Sequence, residues 1–289
     1  MPRVLSILAL AAVLAAACAG PGQAGRRAAV PASYYLALGD SLAQGVQPDA
    51  EGVSVRTGDG YADQLYALLR RHHPGLRLVK LGCPDETTGT MIRGGLCSYP
   101  AGSQLATALR LLRSHRSRIS LITVDIGAND PDSCIAGTEL AGAASCVSNS
   151  IRRTAANLGH ILDRIRAAAP RVKIIGMSYY LPALAQWRTG LIGHGIARLS
   201  ELAAAAYNAM LTGIYQASGV RIADVSGAFR TADFDGRVSL AGLGSLPPNV
   251  AAICRWTWEC AGPPRGPNQH ANQAGYGIIA RTFLAADRS

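Results

Sequence analysis

Residues Tyr34–Gly45 read YYLALGDSLAQG. An apolar run from Tyr34 to Leu38 stops at glycine, an acid and a hydroxyl, and a short helix-compatible stretch follows. A run without polar alternation suits a strand covered on both faces. Gly39 permits a tight turn out of that strand. Ser41 then stands directly beyond the strand's carboxyl end. Two roles fit it there: the N-cap of the next helix, or a nucleophile at the edge where open α/β sheets bind ligands.

Working outward, strand and helix patterns alternate. After the strand Tyr34–Leu38, YADQLYALLRRH from Tyr61 has the period of an amphipathic helix, and LRLVKLG near residue 79 reads as a second strand. A helix is expected from Gln104 (QLATALRLLRSH), then a continuous apolar strand from Ile119 (ISLITVDIG). The long helix from Ser150 carries Ile151, Leu158, Ile161, Leu162 and Ile165 on one face. RVKIIGMSYY supplies a fourth strand, an Ala-rich helix covers about Ile196 to Gln216, VRIADVS gives a fifth strand, and QAGYGIIARTFLAA a closing helix. This alternation predicts an α/β fold, a three-layer α/β/α sandwich around a central parallel sheet of about five strands. Residues 46–60 and 229–267 resist the pattern and read as long loops, placed to wall a pocket beyond the strand ends.

The 289 residues are 49% hydrophobic and 16% charged, which leaves ample material for a core. The net charge of +10 comes almost entirely from arginine, since Lys80 and Lys173 are the only lysines. Arg110, Arg113, Arg152, Arg164 and Arg198 are scattered along helices, without a basic block, so a solvated basic surface is expected and no nucleic-acid partner.

Residues 1–18 combine Arg3 with an apolar stretch to Ala17, the build of an export signal. Cys18 after LAAA resembles a bacterial lipobox, except that Ala15 stands where leucine is usual. Membrane anchoring through a lipidated Cys18 and ordinary cleavage nearby are both compatible. Residues 19–31 read as a flexible tether, and 32–289 as the folded domain. Without Cys18, six cysteines remain, close in sequence as Cys83 with Cys97, Cys134 with Cys146, and Cys254 with Cys260. Fifteen pairings are formally open, and the sequential one is the simplest. Disulfides imply an oxidising compartment. Zinc is the alternative, but no C-x-x-C spacing occurs and the histidines do not cluster near the cysteines.

Three further motifs decide the role of Ser41. DIGAND ends the third strand with Gly127, Asn129 and Asp130, and NQHANQAGYGIIA places His270 just before the closing helix. Strand-Gly-Asp-Ser, a Gly/Thr-rich turn, Gly-x-Asn-Asp and a late His before GYxxIA together resemble the SGNH (or GDSL) hydrolases, in particular secreted actinobacterial lipases and esterases. The likeness spans about residues 33–285. It implies a flavodoxin-like SGNH-hydrolase fold and an exported esterase or lipase, secreted or anchored to the outer face of the membrane. On this reading Ser41 attacks the ester carbonyl, and His270 takes its proton and passes it to the leaving alcohol. The Ser41 N–H and the Asn129 amide form the oxyanion hole. Asp40 and Asp130 brace loops. No cofactor or metal is implied. The expected partner is a small-molecule or lipid ester, and the expected state a monomer.

Two positions depart from the family. Asp85 stands where a glycine usually gives a third oxyanion donor. Its N–H can still donate, yet its carboxylate opposes an oxyanion, so it either blunts activity or points away; Gly82 or Gly89 in a shifted loop is the alternative. Pro267 replaces the usual acid three residues before the catalytic histidine, and Asn268 stands at minus two. A Ser-His dyad is therefore expected, with the main-chain carbonyl of Asn268 or a neighbour orienting His270, and with a distant acid such as Glu259 as the competing choice. An inactive binding module on the same fold, and an acyltransferase to a sugar or lipid hydroxyl, are the other functions open at this point. Leu42, Tyr61, Tyr180, Trp256 and Trp258 are either walls of an acyl pocket or core.

Overall fold

In the computed structural model, which describes residues 32–132, 134 and 140–288, each of the five apolar runs is a strand. The expected export signal, the tether and Cys18 lie outside the described residues. Chain order runs β1 (Ser33–Gly39), α1 (Ser41–Gln44), β2 (Gln47–Pro48), β3 (Ser54–Val55), α2 (Tyr61–Arg70), β4 (Leu76–Lys80), α3 (Thr88–Arg93), α4 (Gln104–Ser114) and β5 (Ile119–Asp125). It continues through α5 (Asn129–Asp132), α6 (Leu140–Ala168), β6 (Lys173–Met177), a 3-10 helix (Pro182–Thr189), α7 (Leu191–Ala217), β7 (Arg221–Ala223) and α8 (Val225–Ala228). β8 (Val238–Leu240), β9 (Gly244–Leu246), α9 (Pro248–Trp256) and α10 (Gln273–Arg288) follow.

The sheet is parallel throughout, with strand order β4-β1-β5-β6-β7. α2 packs on α10, while α6 packs on α4 and α7, giving the three-layer α/β/α sandwich. β5 reads as an uninterrupted apolar run because helices cover both of its faces: Leu121, Ile122 and Val124 are all buried. Leu158, Ile161, Leu162 and Ile165 of α6 are wholly buried, as the helical spacing requires. The core of the described residues lies between Tyr34 and Ala286. The chain from residue 32 onward therefore carries all five strands of the sheet and the helices packed on it.

Four regions differ from expectation. Residues 46–60 contain the β2–β3 hairpin, and 229–267 contain the β8–β9 hairpin and α9. α9 begins with Pro248 in its first turn, where a missing N–H costs nothing. α6 starts ten residues before Ser150, since LAGAA and the residues after it lack the apolar spacing that marks the later turns. α7 starts at Leu191 rather than near Ile196. Gly193 and Gly195 weaken the helical signal there, but Gly193 is needed for contact: a Cβ on it would lie 1.9 Å from the Gln186 carbonyl oxygen of the 3-10 helix.

Candidate active site

The turn after β1 is built around close approach. Gly39 has φ 142°, and a Cβ there would lie 2.1 Å from the main-chain oxygen of Asp125 on β5. The Gln104 side chain clamps the same residue, accepting the Gly39 N–H (2.7 Å) and donating Nε2 to the Gly39 oxygen (2.9 Å). Asp40 is the N-cap of α1, its Oδ1 accepting the Leu42 N–H at 2.9 Å. The capping role is thus filled by Asp40, and Ser41 is the first helical residue, its side chain lining a cavity. Its main-chain N–H has no acceptor among the described residues.

Beneath the turn lies a buried carboxyl pair. Asp125 Oδ2 accepts the Ala43 N–H at 3.0 Å, its Oδ1 accepts the Tyr61 hydroxyl, and Tyr179 OH reaches Asp40 at 3.5 Å. Burial raises both carboxyls above the ordinary carboxylate range, and at Asp125 the charge of Asp40 adds to the rise. The group is structural: replacing Asp125 strands the buried Ala43 N–H and leaves the Tyr61 hydroxyl only Thr123 Oγ1 at 3.3 Å, so Asp125→Ala is expected to lower unfolding free energy by about 1–3 kcal/mol in denaturant titration. A variant as stable as the parent would show that the donors find other partners.

The second loop is tied to the first. Cys83 N–H donates to the Gly39 oxygen (3.1 Å), and Glu86 N–H to the Cys83 oxygen (3.1 Å), closing a turn over Pro84 and Asp85. Pro at the second position and φ 62° at the third match a type II turn, which favours glycine where Asp85 stands. Asp85 is exposed, and its N–H has no acceptor among the described residues. Gly82 is wedged against Ala43, its oxygen accepting Gln44 Nε2 at 2.7 Å, and Gly89 lies inside α3. The left-handed turn position therefore belongs to Asp85.

Asn129 starts α5 and donates one amide hydrogen to the Glu86 oxygen (2.9 Å), which leaves the other for the cavity it lines. Asp130 accepts the Thr88 N–H (2.8 Å) and hydroxyl (2.5 Å), tying the third loop to the second.

His270 precedes α10. Its Nδ1 lies 2.8 Å from Asn268 Oδ1, and the same oxygen accepts the His270 N–H at 3.0 Å. A main-chain N–H only donates, so the Asn268 atom facing it is the oxygen. Nδ1 then carries the proton and Nε2 presents its lone pair. The expected main-chain carbonyl is thus replaced by the side-chain amide oxygen of Asn268, because an Asx turn brings that oxygen back over residue 270. No hydrogen bond joins Glu259 to His270; the Glu259 N–H donates to Thr257 Oγ1. Burial holds the imidazole below the ordinary histidine value, and the Asp85 carboxylate acts in the opposite direction.

Ser41, Asn129 and His270 line one cavity of about 270 Å³, near the small end for ligand pockets. Leu42 and Tyr180 are in its wall, with Leu181 capping the 3-10 helix, Pro182 at its start, and Ala204 and Tyr207 from α7. Tyr61 is core, stacked on Phe283. Trp256 packs edge-on to Phe229, and Trp258 Nε1 donates to Gln47; neither lines the cavity. Gln104 holds the serine turn although it stands in no motif, Asp125 holds it as the first residue of DIGAND, where Gly127, Asn129 and Asp130 carry the pattern instead, and the apolar wall from residues 181–207 comes from a helix pair whose approach no local pattern reveals.

Cys83 is bonded to Cys97, Cys134 to Cys146 and Cys254 to Cys260. Among the described residues no group of three or more His, Cys, Asp or Glu side chains is arranged to hold a metal.

Residues 37–278 match the model of the GDSL-like lipase/acylhydrolase family. Similar solved structures include an extracellular lipase from Streptomyces rimosus (20% identity, TM-score 0.56, covering 88% of this chain and 100% of that one). A phospholipase A1 from Streptomyces albidoflavus NA297 aligns at 18% identity and TM-score 0.57, over 88% of this chain and 99% of the other. The acetylxylan esterase Axe2 from Geobacillus stearothermophilus aligns at 16% and 0.53, over 89% and 95%. At these identities the likeness is one of fold. None of the curated protein sequences matches the chain.

Proposed function

The chain belongs to the GDSL-like lipase/acylhydrolase family and is a carboxylic ester hydrolase, and from that premise we propose that it works through an acyl-enzyme on Ser41 with His270 as general base. The observation that carries the mechanism is the cavity shared by Ser41, Asn129 and His270, with Nε2 as the free nitrogen of the imidazole. His270 takes the Ser41 proton as the hydroxyl attacks, then delivers it to the departing alcohol. The Ser41 and Asp85 N–H groups and the second Asn129 amide hydrogen receive the oxyanion. Water repeats the sequence to release the acid. Asn268 holds the tautomer that an acid holds in a triad, with less stabilisation of the imidazolium.

A fluorophosphonate probe tests this reading: one adduct is expected, on the peptide carrying Ser41, and its formation requires His270. Labelling elsewhere, or none from folded protein, defeats it. Export is part of the proposal, supported by the three disulfides and the apolar run before Cys18; lipidation of Cys18 rests on the lipobox likeness alone.

Asp85 sets the pH response. Its carboxylate raises the pKa of His270 against the lowering by burial, so Asp85→Gly lowers it further. The acid limb of kcat/KM, which lies below the ordinary histidine value, then moves to lower pH. Loss of a charge opposing the oxyanion, with glycine relieving the φ of 62°, raises turnover by about two- to tenfold, the effect being limited by solvent screening of an exposed charge. An unchanged or lower turnover would show that Asp85 does not blunt the reaction.

A further inference from the structure

α7 exposes its first three turns in an unusual way. Leu191, Ile192, Ile196, Leu199 and Leu202 are 87%, 80%, 44%, 71% and 66% exposed. At 100° per residue they fall within an arc of about 140°, over a length of about 17 Å. They are five of the eight large hydrophobic side chains exposed among the described residues. A single exposed leucine is ordinary, whereas a contiguous apolar stripe marks a docking surface. The opposite side of the helix is spoken for, with Gly193 and Ala197 buried against the fold.

Two observations name the occupant. The first is charge. Arg188 and Arg198 flank the stripe, both exposed, and neither pairs with a carboxylate among the described residues. The Arg198 guanidinium lies over the Phe234 and Trp187 rings, 4.6 and 5.5 Å from their centroids. Aromatic and basic side chains bordering an apolar helix face suit the headgroup region of a bilayer with anionic lipid. The net charge of +10 favours such a surface and opposes pairing with a second copy. The second is continuity: the next turn of α7 carries Ala204, Tyr207 and Asn208 into the wall of the cavity that holds Ser41 and His270. No helix of the described residues is long and apolar enough to cross a membrane.

We propose that the Leu191–Leu202 face of α7 docks the protein in the plane of an anionic lipid bilayer. The stripe enters the acyl boundary, Arg188 and Arg198 meet the headgroups, and ester substrate reaches the cavity from the membrane side. Only this last clause rests on the ester-hydrolase mechanism above.

The test uses the chain from residue 32 onward, its Leu191→Gln/Ile192→Gln/Leu199→Gln/Leu202→Gln variant, and vesicles of phosphatidylcholine with and without phosphatidylglycerol. The parent is expected to co-sediment with the anionic vesicles and to release as salt rises. The variant loses about a hundredfold in partition coefficient, while p-nitrophenyl acetate turnover stays at the parent's level. Equal partition of parent and variant overturns docking, as does a parent that ignores anionic vesicles. A parent dimer that the variant splits, seen by light scattering, assigns the face to a second copy and also overturns it. If the parent binds vesicles but hydrolyses no ester, the catalytic mechanism fails and docking stands. If the quadruple variant misfolds, Ile192→Glu alone gives the same comparison.

Discussion

Ser41→Ala is expected to lower kcat/KM toward p-nitrophenyl butyrate by about 10⁴- to 10⁶-fold. The residue removed is a hydroxyl facing a cavity, in a turn held by Gln104, Asp40 and Asp125 rather than by Ser41 itself. Its loss therefore leaves the unfolding midpoint where it was, and the drop reports chemistry. His270→Ala is expected to fall as far, and the double variant little further, since serine and base act as one unit. Residual turnover within tenfold of the parent in Ser41→Ala would move the nucleophile elsewhere. The acyl chain length giving the highest kcat/KM in a p-nitrophenyl series then measures what a cavity of about 270 Å³ admits.

Asn129→Ala is expected to cost about 10²–10³-fold in kcat, the usual loss for one oxyanion donor. The sign of KM separates this role from mere bracing. A donor used only by the tetrahedral intermediate lowers kcat and leaves KM nearly unchanged. Asn129 also donates to the Glu86 oxygen, so a variant that loosened the turn bearing Asp85 would raise KM and lower the unfolding midpoint together. Asn129→Asp replaces the donor by an acceptor of the same size, and its turnover should lie below that of Asn129→Ala. An Asp variant as active as the parent would remove Asn129 from the oxyanion hole.

The fold was legible where one local signal dominated. β1 and β5 are long apolar runs, and α6 repeats its apolar face for several turns, so their places follow from spacing alone. α9 was not legible because Pro247, Pro248 and the nearby glycines read as loop, although proline in a first turn is also a start signal. Asn268 is legible in the sequence as a neighbour of His270, but the atom that meets the imidazole is not: main-chain and side-chain carbonyls differ only through the turn that carries them. Gln104 lies 65 residues from the glycine it clamps, and its recognition needs the packing of α4 beside β1. The exposed face of α7 was hidden for another reason, since a long Ala- and Leu-rich helix looks the same in sequence whether its apolar side is covered or bare.

Ser41 sits in the first strand-to-helix turn and His270 just ahead of the last helix. α10 reaches back to fasten the two ends, with Tyr276 OH donating to the Val46 oxygen at 2.8 Å and Gln64 donating to the Gln273 oxygen at 2.9 Å. During synthesis the serine turn emerges early, yet His270, its base in the proposed mechanism, arrives only with the closing segment, after every strand of the sheet. On that mechanism, a chain interrupted at any earlier point holds a nucleophile without a base. Ester turnover in a refolding experiment is therefore expected to be a clock for the final docking event, starting only when the last helix is home.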